Sequence, residues 1–485
     1  MSRIGLGRHV SLLDEDTPDT PVDNGEVAVE EEVSAPIVEA TEETAEVEAE
    51  DIGAEQAMDS TETLEEVEDA VVAAEADGGL DRQSAVFAHL AMKAAMGKAD
   101  YDHFVRTSKI PSVESYNGGS SSRQRYTAIT KEGIGSALRG FWEAIVRQIK
   151  KMWAAVKNWY LKVLDAAPRM KARAEALAKK SGDITGSATE KTFDMGGIAQ
   201  LALDGKAPDP TKATATMKYL SEVSSKMLDT ETSGQYDKML EDFEEIIEHV
   251  SDMEPDALTK VGVTDVASFM RGAGDAVKGG TASKGVVKLV NTIGAFVMSN
   301  KTIVAKGGQT VDGATKRFGD DTDVYGGAQI FGQKQMVCLY PKGKAKSLVR
   351  LVRGSGFRIV DFKEKPKDVD NSGSWKTLSS SDIRSLMDEL SDICDHIMTY
   401  KKAWENRDKQ FGKMDSTAKK AIANAEKDKD SGSVKTRIVK DVALGMSALY
   451  QIGIRFENQL VQYLLAVGRT TITWVERSLA QYKSA

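Results

Sequence analysis

Apolar residues recur every three or four positions through much of the chain beyond residue 130, a spacing that predicts amphipathic helices. The longest stretch, 131–165, places aromatic and aliphatic side chains on one face and Lys and Arg largely off it. Pro168 predicts a break, after which a basic helix over 169–180 ends at Ser181 and Gly182. The remaining predicted helices are 211–227, 235–250, 380–409 and 433–483, the last of which its glycines divide into two or three.

A second pattern, of alternating apolar and polar positions, predicts two strands around a short basic helix. The three segments are 333–340, 342–353 and 357–362. Gly354 and Gly356 end the helix, and this order of strand, helix and strand indicates a βαβ-like unit. Weaker strand patterns lie in 183–210 and 286–326. The predicted fold class is α+β, with a mostly helical body, a small βαβ-like mixed unit and a disordered acidic N-terminal leader.

The leader lacks helical periodicity over most of its length. Residues 11–79 hold 25 Asp or Glu residues and no Lys or Arg, with almost no aromatic residues. Such a segment cannot bury enough apolar surface to offset its chain entropy, so 11–80 is predicted to be disordered, with a transient helix near 63–75. An ordinary acidic tail is the alternative. The apolar side of residues 81–105 predicts one short helix, which is either a docking element or a segment that packs on the body.

Charge divides the chain where its composition changes. Residues 1–114 contain 29 acidic and 7 basic residues, a net charge of −22, whereas 115–485 contain 57 basic and 45 acidic residues, a net charge of +12. The overall charge of −10 therefore describes neither part. The Gly- and Ser-rich start of 115–130 predicts a flexible connector, and a flexible segment at a compositional boundary is a favourable place for proteolysis.

The sequence shows no recognisable catalytic or metal-binding motif. No Gly-Lys-Ser/Thr follows the glycine-rich stretches, no Gly-x-Ser-x-Gly is present, and the five histidines do not form HExxH or zinc-finger spacings. Cys338 and Cys394 are the only cysteines, which is too few for a disulfide framework. Neither a secretory signal nor an apolar run long enough to span a membrane is present. The prediction is a non-enzyme with no cofactor and no metal.

Two clusters of basic residues are candidates for binding a polyanion through counterion release, without sequence specificity. The first is Arg123, Arg125, Arg169, Lys171 and Arg173, and the second is Lys342, Lys344, Lys346, Arg350 and Arg353. A solvated surface is the alternative for either cluster. The net charge of the body favours contact with a polyanion such as double-stranded DNA.

Ser112, Val113, Glu114 and Ser115 stand at the charge reversal. With the acidic leader and the 357–368 stretch, this organisation resembles the internal head (inner body) proteins of phiKZ-type giant tailed bacteriophages. The resemblance implies cleavage after a small residue, any residue and Glu, a pattern that Ser112, Val113 and Glu114 match, with Ser115 after the bond that is cut. The same three-residue pattern also occurs at 28–30, 53–55, 60–62, 73–75, 188–190 and 403–405.

The resemblance implies a structural virion protein whose propeptide a phage prohead protease removes, the chain being the substrate of that protease. Before assembly the protein is expected in the host cytoplasm, and in the virion it is expected inside the capsid. Its expected partners are capsid or inner body proteins and packaged double-stranded DNA. The sequence leaves the oligomeric state open. The predicted segments are 1–114 (propeptide), 115–130 (connector), 131–182 (long basic amphipathic helices), 183–370 (α+β region) and 371–485 (C-terminal helices).

The physical hypothesis is that the leader is a removable charge mask, since cleavage after Glu114 would change the net charge from −10 to +12. The rival is an effector that is ejected into the host with the genome. It could act on membranes through the Trp-rich segment 131–165, although that segment has equally the composition of a core helix. A partner-binding protein of non-viral origin with an acidic tail is a third alternative.

Overall fold

The computed structural model describes residues 79–96 and, with short gaps, 166–482, together with scattered single residues between 67 and 157. This part is mostly helical, with strands in two small antiparallel sheets, which confirms the predicted α+β class. Nearly all of the leader before residue 79 and of the predicted helix 131–165 lies outside the described residues.

The helices in the described part largely confirm the helices that the periodicity predicts. They are α1 (Arg82–Met96), α2 (166–182), α3 (Ile198–Leu201), α4 (Pro210–Met227), α5 (Thr230–Asp252), α6 (Ala257–Lys260), α7 (Thr281–Val304), α8 (Ala314–Phe318), α9 (Leu348–Arg353), α10 (Ser380–Lys427), α11 (Val434–Ala448) and α12 (Ile454–Leu479). The predicted division of 433–483 is confirmed, because α11 and α12 are separate helices.

Side-chain caps explain why several of these helices begin where they do. The Asp209 carboxylate accepts a hydrogen bond from the Thr211 backbone N–H at 3.2 Å, next to Pro210 in the first turn of α4. Ser379 and Asp382 form a reciprocal capping box at the start of α10, with N–H to side-chain oxygen distances of 3.1 and 3.2 Å. These polar residues satisfy backbone donors that would otherwise lack partners.

Helix α7 corrects the weak strand prediction for 286–326 over its first part. Glycines within α7 argue against a helix from the sequence alone, yet Gly285 is needed for packing. A Cβ atom at Gly285 would lie 2.9 Å from Ile246 Cγ1, so the glycine allows α7 and α5 to approach closely. Only the end of the predicted region forms a strand, which begins at Thr322.

The sheets are small and antiparallel. Strands β1 (Thr192–Gly196) and β5 (Ser372–Lys376) pair with each other, and β2 (Thr322–Ile330), β3 (Lys334–Pro341) and β4 (Gly356–Asp361) form a three-stranded sheet in that order. The predicted strand, helix and strand are therefore present as β3, α9 and β4. Because β3 and β4 pair antiparallel, α9 is a short excursion and not the crossover helix of a parallel βαβ unit.

The main hydrophobic core of the described body has members from Ala166 to Leu479, and a small separate cluster contains Val311, Val337 and Leu339. Helix α11 lies at the centre of the main core, since its residues are buried on every side. Polar groups on this helix have partners: Asp441 Oδ2 accepts a hydrogen bond from the Leu348 backbone N–H at 2.9 Å, and Lys435 Nζ donates to the Met253 carbonyl at 2.6 Å. These bonds offset the cost of burying charge.

Candidate functional site

The predicted cleavage residues, Ser112, Val113, Glu114 and Ser115, lie outside the described residues. Five residues of the predicted connector 115–130 are described, and all five are helical: Arg123, Gln124, Thr127, Ala128 and Thr130. This corrects the flexible-connector prediction at those positions. The physical reason is that the Gly and Ser run ends at Ser122, and residues 123–130 include neither Gly nor Pro.

The leader contacts this helical segment. The Leu80 backbone N–H donates to Thr127 Oγ1 at 2.8 Å, and Thr127 Oγ1 donates to the Arg123 carbonyl at 2.7 Å. Gly79, with φ of 103°, lies so close that an added Cβ would be 2.8 Å from the Arg123 carbonyl carbon. Residues on the two sides of the predicted cut are thereby joined in the uncut chain.

Helix α1 has two apolar faces with different surroundings. Ala85, Ala88 and Met92 are buried, whereas Phe87 and Leu90 are 63% and 58% exposed. At the start of the helix the Asp81 carboxylate accepts hydrogen bonds from Ser84, which lower the pKa of Asp81 and cap the helix. The helix predicted over 81–105 is thus confirmed as far as Met96, with the remainder outside the described residues.

The first basic cluster is partly neutralised. Lys171 Nζ lies 2.6 Å from Asp395 Oδ2, and Arg173 Nη2 lies 2.6 Å from Glu476 Oε1. The hydrogen bond to Asp395 raises the pKa of Lys171 against the opposing effect of burial. Arg169 is exposed on the same helix, Arg123 is half-buried near the leader, and Arg125 is outside the described residues. Two of the predicted polyanion-binding residues therefore already face carboxylates.

The second basic cluster surrounds the short helix α9. Lys342 is exposed, and its Nζ donates to the Asp320 carbonyl at 2.8 Å. Arg350 and Arg353 are half-buried on α9, and Lys344 and Lys346 lie outside the described residues. A Cβ at Gly354 would touch Pro341, so the end of α9 lies beside the end of β3, which Lys342 directly follows. The fold thus brings Arg353 and Lys342 to one end of the mixed unit.

Groups that could supply other chemistry are buried and occupied in structural contacts. Burial raises the pKa of the Cys338 and Cys394 thiols to about 12, which keeps both protonated and unreactive. His396 Nδ1 lies 3.0 Å from Ser224 Oγ, and the Ser224 hydroxyl also lies 2.9 Å from the Ser221 carbonyl oxygen, to which it donates. Among the described residues, no group of three or more His, Cys, Asp or Glu could hold a metal ion.

Sequence reasoning missed one buried polar network. Arg407 of α10 and Glu457 of α12 form an ion pair, each side chain being 1% exposed, and the Tyr400 hydroxyl also donates to Glu457. The available signal was Glu457 itself, the one acidic residue in the first turn of a strongly amphipathic helix. No helix of the described residues is sufficiently long and apolar to cross a membrane.

Comparison with known protein families identifies the chain as a bacteriophage structural protein of the virion interior. It belongs to the phiKZ-like phage internal head proteins, which match residues 39–470. The predicted resemblance and the predicted location inside the capsid are therefore confirmed. The match begins within the acidic leader and continues across the predicted cut, so both parts carry the family pattern. No curated protein and no solved structure matches the chain significantly.

Proposed function

We propose that this internal head protein is made as a precursor, and that a phage prohead protease removes residues 1–114 by cutting between Glu114 and Ser115. The observation that carries the proposal is the reversal of net charge at this position, from −22 before it to +12 after it. The described members of the main core begin at Ala166, so loss of the leader removes none of them.

The surroundings of the competing matches in the body favour the cut at residue 114. Ala403 and Trp404 are buried within helix α10, and a protease needs an extended, accessible substrate. The 188–190 match is exposed, but its backbone is held at two points. Thr189 N–H donates to the Gln481 carbonyl at 2.7 Å, and the Glu190 carbonyl accepts from Thr377 Oγ1 at 2.7 Å. Both matches should therefore resist cleavage while the body is folded.

The mature body then associates with packaged DNA or with other inner head proteins. A net charge of +12 attracts a polyanion and releases its counterions, whereas the precursor, at −10, is repelled. Exposed Lys342, whose Nζ donates to a backbone carbonyl, contributes more than Lys171 and Arg173, whose charges are offset by carboxylates. The leader thereby lets the precursor enter the assembling head without binding nucleic acid.

Cleavage is tested by incubating the purified full chain with the prohead protease of its phage. The wild-type protein should yield a fragment that begins at Ser115, and Glu114→Gln should prevent this cut without altering the fold. Ala403→Val is a matched control that changes a buried match and should leave the fragments unchanged. Equal cutting of wild type and Glu114→Gln would refute the assigned site.

DNA association is tested separately with duplex DNA over a range of salt concentrations. The 115–485 protein should bind with an affinity that falls steeply as salt rises, and the full chain should bind weakly at every salt concentration. Equal affinities for the two proteins, or binding by 115–485 that is independent of salt, would contradict the charge-mask mechanism.

A further inference from the structure

We infer that residues 76–114, the clip, stay bound to the mature body through the described residues 79–96 after the cut at residue 114, and that a second cut after Glu75 releases the acidic arm, residues 1–75, which alone reverses the charge. The inference rests on the proposed function for the position of the cut. The contact itself is a property of the uncut chain and can be tested independently.

The two parts of the leader differ sharply in charge. Residues 1–75 contain 24 acidic and 2 basic residues, a net charge of −22. Residues 76–114 contain 5 acidic and 5 basic residues and are therefore neutral. All the net charge of the leader thus lies in the arm, and a bound clip would leave the charge of the body unchanged. The boundary coincides with the 73–75 match to the cleavage pattern.

The clip has a buried side of its own. Leu80, Ala85 and Met92 are 0–1% exposed, yet none of them belongs to the main core that begins at Ala166. Thr127 and Thr130, from the body side of the cut, are also fully buried and outside that core. The Leu80–Thr127 hydrogen bond links the two segments into a small unit, which would hold the pieces together after the peptide bond is broken.

A directional contact fixes the clip to the body. The buried Leu80 N–H donates to Thr127 Oγ1, and the Thr127 hydroxyl in turn donates a hydrogen bond to the Arg123 carbonyl one turn earlier. Replacing Gly79 by any other residue would push the clip away from the Arg123 backbone. The clip therefore contacts residues 123 and 127 by close backbone approach and hydrogen bonding, which depend little on salt. Electrostatic attraction between the acidic arm and the basic body, in contrast, is screened by salt.

The arm also contacts this unit. Val67, Val71 and Ala74 are helical at spacings of four and three residues, the two valines are buried, and the Ala74 carbonyl accepts the Gly79 N–H at 2.8 Å. A cut after Glu75 would fall between Ala74 and Gly79, the two residues that this hydrogen bond joins. The arm would lose its covalent link to Leu80, while the Leu80–Thr127 contact would remain intact.

The test uses the full chain with residues 112–115 replaced by the recognition site of an unrelated, sequence-specific protease. After complete cutting, the two fragments are passed over a size-exclusion column at micromolar concentration in 1 M NaCl, which screens the attraction between the acidic arm and the basic body. The fragments should elute together. Elution of the leader fragment as a separate species in 1 M NaCl would overturn the inference.

Two isosteric variants identify the contact. Thr127→Val removes the acceptor of a buried N–H and should weaken the association of the fragments by about tenfold or more. Thr130→Val is the matched control, because the Thr130 hydroxyl is equally buried and has no hydrogen-bond partner, so its loss should leave the affinity unchanged or slightly higher. Equal behaviour of the two variants would refute the assigned contact. Because the cut is engineered, this result is independent of whether the phage protease acts at residue 114.

Discussion

The buried ion pair between α10 and α12 allows one stability prediction to be developed in detail. Arg407 Nη2 donates to Glu457 Oε1 at 2.9 Å, and the Tyr400 hydroxyl donates to Glu457 Oε2 at 2.5 Å. Burial acts to lower the pKa of Arg407, but the Glu457 carboxylate outweighs it and holds that pKa above its ordinary value. The guanidinium also lies 4.7 Å from the centre of the Tyr236 ring. Arg407 is thus charged in the core and depends chiefly on the Glu457 carboxylate.

Removing that carboxylate leaves a charge in the core without compensation. Glu457→Gln keeps the size and the acceptor for Tyr400 but removes the negative charge, which should lower the free energy of unfolding by about 3–5 kcal/mol. Whole domains are commonly stable by only about 5–15 kcal/mol, so the loss is large. Replacing both partners, in Arg407→Met with Glu457→Met, removes the two charges together and should cost less than either single replacement.

Urea unfolding followed by tryptophan fluorescence measures these differences as a double-mutant cycle. Lys212→Gln is the control, since its ion pair with Asp204 is exposed on both sides and should contribute little. A cost below about 1 kcal/mol for Glu457→Gln, or a double variant as unstable as the sum of the single ones, would refute the reasoning.

Three further predictions concern separate parts of the body. Burial lowers the pKa of His396, against the opposing effect of Asp392 and Asp395, so the folded protein disfavours the protonated imidazole. The free energy of unfolding should therefore fall as the pH drops below about 6.5, the pKa of an unperturbed histidine. In urea titrations across about pH 5–8, His396→Gln should reduce that fall. Gly285→Ala should destabilise by about 1–3 kcal/mol because α5 is too close. Gly412→Ala, in an open part of α10, should instead stabilise by about 0.5–1 kcal/mol, and the two melting temperatures show the contrast. In DNA titrations, Lys179→Gln, at an exposed position of α2, should reduce the salt dependence more than Lys171→Gln, because Lys171 is paired with Asp395.

Helices with a strong apolar period and clear caps were predictable from the sequence. Helix α4 begins at Pro210 beside its Asp209 cap, and α10 begins at Ser380 after a capping box, both within a residue of the prediction. Helix α7 was not predictable, because Gly285 lowers helix propensity and the reason for its presence lies in a neighbouring helix. Strand β5 was missed as well, since its pairing with β1 joins segments about 180 residues apart in sequence.

The candidate site was predictable in its charge and not in its contacts. The position of the charge reversal follows from counting residues. The partners of Lys171 and Arg173 do not, because Asp395 and Glu476 are brought to them only by the packing of α2 against α10 and α12. The contact across the predicted cut was not predictable for the same reason. Nothing in the sequence around Thr127 indicates that its hydroxyl accepts a hydrogen bond from the Leu80 backbone N–H.

The N-terminal residue of the protein in purified virions tests the precursor proposal most directly. Intact-mass and peptide mass spectrometry of particles should show a body that begins at Ser115, with no peptides from the acidic arm, residues 1–75. Particles produced with Glu114→Gln should retain the longer chain. An N-terminus at Met1 or Ser2 in mature wild-type virions, with arm peptides in equal amount to body peptides, would contradict the proposal that the acidic leader is removed.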